Sequence, residues 1–131
     1  LDKPTPFIIE GLKAGGDLHL QNLCLKSLTR LDINALETQK RIADIYSAAP
    51  EDFRLRILTA LKDITRVSRS LYSVLEGDVH HENEWFAEKV LNLLSKASTH
   101  SPRVVEGARK LSESKNSYIK ESADRFLESL P

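Results

Sequence analysis

Methionine is absent from the sequence and cysteine is scarce: the 131 residues include no Met and a single Cys. Cys24 cannot form an internal disulfide, which excludes a small domain held together by disulfide bridges. No apolar run approaches the length that spans a bilayer, and residues 1–10 lack a secretory signal pattern. These absences predict an intracellular protein. Since the sequence does not begin with Met, we expect one domain, residues 1–131, taken from a larger protein.

Net charge is also absent. Lys plus Arg and Asp plus Glu are equal at 19 each, so the formal charge at neutral pH is zero. A dedicated nucleic-acid binder carries a basic excess that neutralises phosphates, and this chain has none. The charge balance therefore favours a protein or peptide partner over a nucleic acid.

Catalytic and cofactor motifs are missing as well. The sequence contains no Gly-x-Ser-x-Gly segment and no glycine-rich phosphate loop. Cys24 falls in an apolar column, and an apolar environment suppresses the reactive thiolate. We therefore predict no catalytic residue, no cofactor and no enzymatic activity.

The densest set of potential metal ligands is Asp78 with the segment 80–84 (HHENE). Structural zinc sites use spaced Cys and His residues, whereas these histidines are adjacent and the nearest Cys is far away. The simpler interpretation is a solvated loop in which Asn83 caps the next helix. No metal site is predicted.

An apolar pattern with a period of 33 residues dominates what is present. Its four columns are Leu20, Phe53, Phe86 and Ile119; Cys24, Ile57, Val90 and Ala123; Leu28, Leu61, Leu94 and Leu127; and Leu31, Ile64, Ala97 and Leu130. Such a period is typical of stacked helical units, because one unit alone cannot bury its apolar stripe. Spacing within each unit is helical, and no segment shows the alternation of a strand.

Breaks at Gly, Pro and capping residues divide the chain into eight helices in four pairs. The predicted helices span residues 6–14, 18–30, 34–48, 51–65, 67–76, 84–96, 102–112 and 117–130. The column before each second helix contains Asp17, Pro50, Asn83 and Asn116, three of which are good N-caps. The predicted fold is all-α, a right-handed α-α superhelix or solenoid.

The repeats resemble the HEAT and armadillo class of helical solenoids. Segments 101–108 (SPRVVEGA) and 119–127 (IKESADRFL) resemble a HEAT unit, with Pro near the start of the first helix and a basic-x-x-Ala pattern in the second. Segment 6–12 (PFIIEGL) resembles a second copy of that opening. The middle units depart from the pattern, with Pro50 between helices and a longer turn at 77–83. The resemblance implies a scaffold whose second helices line a concave binding face.

Candidate partner-binding residues lie on these second helices: Gln21, Arg54, Trp85, Tyr118 and Lys120. One outward column is predicted to contain Gln21, Arg54, Ala87 and Lys120, and its mildly basic character would suit an acidic peptide. Trp85 and Tyr118 occupy equivalent positions in neighbouring repeats. They either anchor a peptide or cover the end of the core.

We therefore expect a non-catalytic scaffold module that binds a partner protein. A nucleic-acid-binding HEAT-like module is the alternative, and salt-sensitive binding would favour it. A HEAT-like lyase or DNA glycosylase fits less well, because no acid–base constellation stands out. A superhelical peptide-binding domain like those of transcription and trafficking adaptors has a similar size, but true repeats explain the constant period better.

Overall fold

A computed structural model describes residues 32–130 of the chain. Within this range the structure contains six α-helices and no strand, so the all-α prediction is confirmed for the described residues. The helices are α1 (Leu36–Ala48), α2 (Glu51–Ala60), α3 (Arg69–Glu76), α4 (Glu84–Leu94), α5 (Pro102–Leu111) and α6 (Ser117–Glu128). The first predicted pair, with Asp17, Gln21 and Cys24, lies outside the described residues. The solenoid architecture and the total of eight helices stay predictions.

Helix boundaries agree with the sequence analysis to within two residues at most ends. The main difference is at the end of α2, which was predicted to reach residue 65 and stops at Ala60. Leu61 to Asp63 form a turn instead, in which the Ile64 amide donates to the Leu61 carbonyl at 3.0 Å. Leu61 and Ile64 are nevertheless buried, so apolar spacing predicted their burial correctly and their helical conformation wrongly.

The chain divides between Leu71 and Tyr72, inside α3, into two compact units. In the first unit, the core includes Ile42, Tyr46, Phe53, Ile57 and Leu61, each no more than 3% exposed. Burial of these apolar side chains is the main source of stability of such a unit.

A buried glutamine connects the two ends of the first unit's described segment. The Gln39 amide nitrogen donates to the carbonyls of Ile33 at 2.9 Å and Arg66 at 2.8 Å, and its oxygen accepts from the Ser68 amide at 2.6 Å. Every polar group of this fully buried side chain is therefore paired, which offsets the cost of its desolvation.

In the second unit, a 3₁₀-helix (Gly77–His80) and α4, α5 and α6 pack around a common core. The largest side chains of this core are 4% exposed or less, and they include Leu75, Phe86, Leu91, Leu94 and Phe126. α4 contacts both α5 and α6, and α5 contacts α6. Because α4 and α6 contact each other, this packing fixes the positions of their N-terminal turns in the second unit.

Candidate functional site

Asparagine caps begin both helices that carry the exposed aromatic residues. The Asn83 side-chain oxygen accepts from the amides of Trp85 (3.0 Å) and Phe86 (3.3 Å). Asn116 makes the equivalent bonds to the amides of Tyr118 (3.0 Å) and Ile119 (3.3 Å). These bonds satisfy amides that have no partner within the helix. The predicted capping roles of both asparagines are confirmed.

Trp85 and Tyr118 therefore occupy the same position, the second residue of α4 and of α6. Trp85 is 51% exposed and Tyr118 is 73% exposed, whereas the following residues, Phe86 and Ile119, are buried. Phe86 and Ile119, which belong to the predicted apolar columns, therefore lie in the core, and Trp85 and Tyr118, which stand outside those columns, lie at the surface. At these exposures the two side chains contribute little to the core.

Two contacts show that α4 and α6 run in the same direction. In the middle of both helices, the Ser122 hydroxyl donates to the Glu88 carboxylate at 3.0 Å. Beyond the end of α4, the His100 ring meets Phe126, in the last part of α6, edge-on at 4.7 Å between centroids. Since one helical turn spans 3.6 residues, Trp85 and Tyr118 each lie about one turn before the Glu88–Ser122 bond. Both aromatics are therefore at the same end of the helix pair, a surface we call the Trp85–Tyr118 face.

The other described candidates have structural partners. The Arg54 guanidinium donates to the carbonyls of Tyr46 (3.0 Å), Ala49 (3.0 Å) and Ser47 (3.1 Å), and it lies over the Tyr46 ring. These carbonyls are at the C-terminal end of α1, where a cation is favourable. A role of Arg54 in partner binding stays a prediction, but its structural role was not foreseen.

Lys120 lies away from the aromatic side chains on α6. Its Nζ is 3.7 Å from the Asp124 carboxylate and 3.4 Å from the Ser112 carbonyl at the end of α5. Because consecutive residues are 100° apart, Lys120 lies about 160° around the helix from Tyr118. The predicted outward column is wrong at Ala87, which is completely buried in α4. α4 packs against the 3₁₀-helix, α5 and α6, so the outward direction assumed for this column does not hold in the second unit.

The histidine segment at 80–84 has local structural roles. His80 Nε2 is 2.9 Å from the Arg103 carbonyl, and His81 Nδ1 accepts from the Asn83 amide at 3.0 Å. The His81 ring also stacks on Phe86, with 4.5 Å between centroids. Among the described residues, no three His, Cys, Asp or Glu side chains are grouped in a way that could hold a metal ion.

A polar cluster around His100 was not predicted. The Tyr72 hydroxyl accepts from the Ser101 amide at 3.0 Å and lies 3.3 Å from His100 Nδ1, while the Ser101 hydroxyl donates to Glu76 at 3.0 Å. Burial lowers the pKa of His100 below its ordinary value. The cluster connects α3, the start of α5 and, through Phe126, α6. The hydrogen-bonded partners in this cluster are 25 to 29 residues apart in the sequence. Local sequence patterns do not reveal contacts between residues so far apart.

Across the described helices, none is both long enough and apolar enough to span a lipid bilayer. Comparison with protein-family models, with curated proteins and with solved structures finds no match to this chain.

Proposed function

We propose that this chain is a non-catalytic helical module that binds a partner protein through the Trp85–Tyr118 face. The observation that carries the proposal is the exposure of two large aromatic side chains at equivalent positions on packed helices. Trp and Tyr are enriched among the residues that dominate binding energy, because they bury a large area with few rotatable bonds.

The helix caps support the proposal, because the start of each helix is stabilised by an asparagine and by a buried neighbour rather than by the exposed aromatic residue. Asn83 and Asn116 satisfy the first-turn amides, and Phe86 and Ile119 supply the buried contacts. Trp85 and Tyr118 therefore leave much of their ring surface in solvent, where a partner can reach it. A packed pair of helices also fixes the backbone positions of both residues before a partner arrives, which lowers the entropic cost of binding.

The proposed architecture is a HEAT- or armadillo-like solenoid. Burial of the described members of the second column, Ile57, Val90 and Ala123, supports it, since each is no more than 2% exposed. The parallel directions of α4 and α6 also suit stacked helix pairs. We place the partner inside the cell, because the chain has one cysteine and no disulfide framework.

Affinity capture with this chain as bait, with and without nuclease, tests the proposal. The double variant Trp85→Ala/Tyr118→Ala is compared with Leu36→Ala, which truncates a 69% exposed leucine on α1. We expect nuclease-resistant proteins that are retained by the wild type and by Leu36→Ala but lost with the double variant.

Retention of the same proteins by the double variant would contradict a role for the Trp85–Tyr118 face. Loss of all captured proteins after nuclease treatment would favour the nucleic-acid alternative instead. Because both rings are more than half exposed, the free energy of unfolding of the double variant should lie within about 1 kcal/mol of the wild-type value. Loss of folding would then not explain a loss of capture.

A further inference from the structure

Charges of both signs surround the Trp85–Tyr118 face in nearly equal numbers. Within four residues of either ring stand four glutamates and three lysines, and Arg109 and Lys110 end the preceding helix, α5. The total charge of such a surface selects neither an acidic nor a basic partner. The order of the charges across α4 and α6 decides which surface is complementary to it.

The hydrogen bond between Ser122 and Glu88 shows how the two helices are turned toward each other. Glu88 is three residues after Trp85, which places it about 60° to one side of the ring around α4. Ser122 is four residues after Tyr118, which places it about 40° to the other side of the ring around α6. Since the helices run in the same direction, both side chains point into the groove between them, where both are half-buried.

Opposite charges therefore stand at the two outer edges of the face. Lys89, four residues after Trp85, lies on the side of α4 that is turned away from α6. Glu121, three residues after Tyr118, lies on the side of α6 that is turned away from α4. Both side chains are exposed, in agreement with positions outside the groove. The face thus has a positive edge along α4 and a negative edge along α6.

The remaining cations at this end lie toward another side of the second unit. Lys120 is about 160° around α6 from Tyr118, and its Nζ approaches the Ser112 carbonyl at the end of α5. α5, with Arg109 and Lys110 in its last turn, therefore packs on the side of α6 away from the ring. These cations do not change the order of charges across the face.

A two-fold axis along the groove brings the opposite edges of two copies together. A half turn about this axis keeps the direction of the helices and exchanges the two edges, so that α4 of one copy lies over α6 of the other. Lys89 then meets Glu121 of the second copy, and Trp85 meets Tyr118 of the second copy. Each of these pairs occurs twice, because both copies use the same surface.

The segments before the two helices and the total charge agree with this arrangement. Glu82 and Lys115 each stand three residues before a ring, and both are exposed. The same half turn places them over one another as a further pair of opposite charge. Because the chain carries no net charge, two copies do not repel each other at a distance.

We infer that the Trp85–Tyr118 face binds a second copy of this chain, as a two-fold dimer in which α4 of each copy lies over α6 of the other. This inference rests on the proposed function and specifies the partner protein as the chain itself. A face formed by two helices is at the small end of specific interfaces, so we expect a reversible dimer with a dissociation constant of about 10 µM.

Sedimentation equilibrium of the full chain, from about tenfold below to tenfold above this constant, measures the association. We expect a monomer that converts to a dimer as concentration rises. Because Trp85 is the only Trp, its emission should shift to shorter wavelength over the same range as the ring leaves water. Trp85→Ala/Tyr118→Ala should stay monomeric, and the control Leu36→Ala in the first unit should dimerise like the wild type.

Charge reversal at the two edges tests the two-fold arrangement. Lys89→Glu or Glu121→Lys alone should weaken the dimer about three- to tenfold, because each places like charges together at two symmetry-related points. An equimolar mixture of these two variants should associate more tightly than either alone, because every pair in the mixed dimer again joins opposite charges. The double variant Lys89→Glu/Glu121→Lys should recover most of the wild-type affinity for the same reason.

The matched control for these reversals is Lys110→Glu, which makes the same change in net charge at an exposed position of α5. It should leave the dimer nearly unchanged at physiological salt, because it lies outside the proposed interface. All of these positions are exposed, so the free energies of unfolding should stay within about 0.5 kcal/mol of the wild-type value.

A monomer at every concentration, a dimer that persists in Trp85→Ala/Tyr118→Ala, or a mixture that associates no better than its components would overturn the inference. Its failure is distinct from failure of the proposed function. If the chain stays monomeric while captured proteins still depend on Trp85 and Tyr118, the partner is a different protein. If neither capture nor dimerisation depends on the two rings, the face itself is the wrong surface.

Discussion

At the scale of single residues, a close approach in the second unit depends on a glycine. Gly107 is buried in α5, where a Cβ atom would overlap the Val79 Cγ1 atom and lie 3.2 Å from Val79 Cβ. Val79 is itself buried in the 3₁₀-helix, so it has little room to move. Only a residue without a side chain lets these two elements pack at this distance.

Gly107→Ala should therefore destabilise the protein by about 1–3 kcal/mol, although alanine is the better helix former. Gly77→Ala is the matched control, since its Cβ would meet only the flexible Arg103 side chain at 3.7 Å. We expect the control to be neutral or stabilising by up to about 1 kcal/mol. Urea unfolding of both variants measures the difference, and equal effects would contradict the proposed overlap.

A second residue-scale prediction concerns the apolar columns. Leu94 is completely buried in α4, whereas Lys89 on the same helix is exposed. Leu94→Ala should lower the free energy of unfolding by about 2–5 kcal/mol, because it leaves a cavity. Lys89→Ala should change it by less than about 0.5 kcal/mol. Similar unfolding midpoints for the two variants would show that the periodic columns do not form the core.

At the scale of elements, the helix caps differ between the two units. Asn83 and Asn116 cap α4 and α6 through their side chains, while Ala35 stands at the N-cap of α1 and provides no side-chain bond. Ala35 has the extended backbone conformation that N-cap residues adopt, with φ −70° and ψ 136°. The cap position of α1 is therefore suitable for a polar residue.

Substitutions at these caps should act in opposite directions. Asn83→Ala or Asn116→Ala should cost about 1 kcal/mol, since each leaves first-turn amides without a side-chain partner. Ala35→Ser should stabilise α1 by about 0.5–1 kcal/mol for the converse reason. Thermal and urea unfolding check both signs, and a destabilising Ala35→Ser would show that α1 is capped by other means.

Contact between α3, α5 and α6 near His100 should respond to pH. Because burial lowers the pKa of His100, the unfolded chain binds a proton at a higher pH than the folded chain. The stabilising contribution of neutral His100 is therefore fully present above pH 6.5, the ordinary value, and is lost as pH falls through the lower pKa of the folded state. The Nδ1 atom of a neutral ring can also accept the Tyr72 hydroxyl, whereas a protonated one cannot.

Urea unfolding between about pH 7.5 and pH 5 measures this effect. The wild type should lose stability towards acid more steeply than His100→Gln, which retains an acceptor but does not titrate. Parallel profiles for the wild type and His100→Gln would exclude a role for His100 in acid sensitivity.

At the scale of the whole molecule, equal numbers of cations and anions predict weak interaction with nucleic acid. Random-sequence single- and double-stranded oligonucleotides should show no binding above the weak non-specific range, with dissociation constants of about 10⁻⁴ M or weaker at physiological salt. Fluorescence anisotropy of labelled oligonucleotides measures this. Tight binding that falls steeply with added salt would instead favour the nucleic-acid alternative.

Local sequence determined most of the secondary structure, since helix spacing and caps depend on neighbouring residues. Asn83, Asn116 and Pro102 begin helices as predicted, because capping and the missing proline N–H act within one turn. The apolar columns predicted burial of Phe53, Ile57 and Val90, since burial follows the side of the helix on which a residue lies.

Tertiary structure decided which of the polar and aromatic residues are available at the surface. Arg54 is engaged at the end of α1, Ala87 is covered, and His100 meets Tyr72 and Phe126, all through contacts that require folding. The sequence by itself determined the helices and placed Trp85 and Tyr118 outside the apolar columns, because both features depend on periodicity. Only packing of α4 against α6 placed both rings at one end of a helix pair beside Glu88, because that arrangement joins residues about one repeat apart.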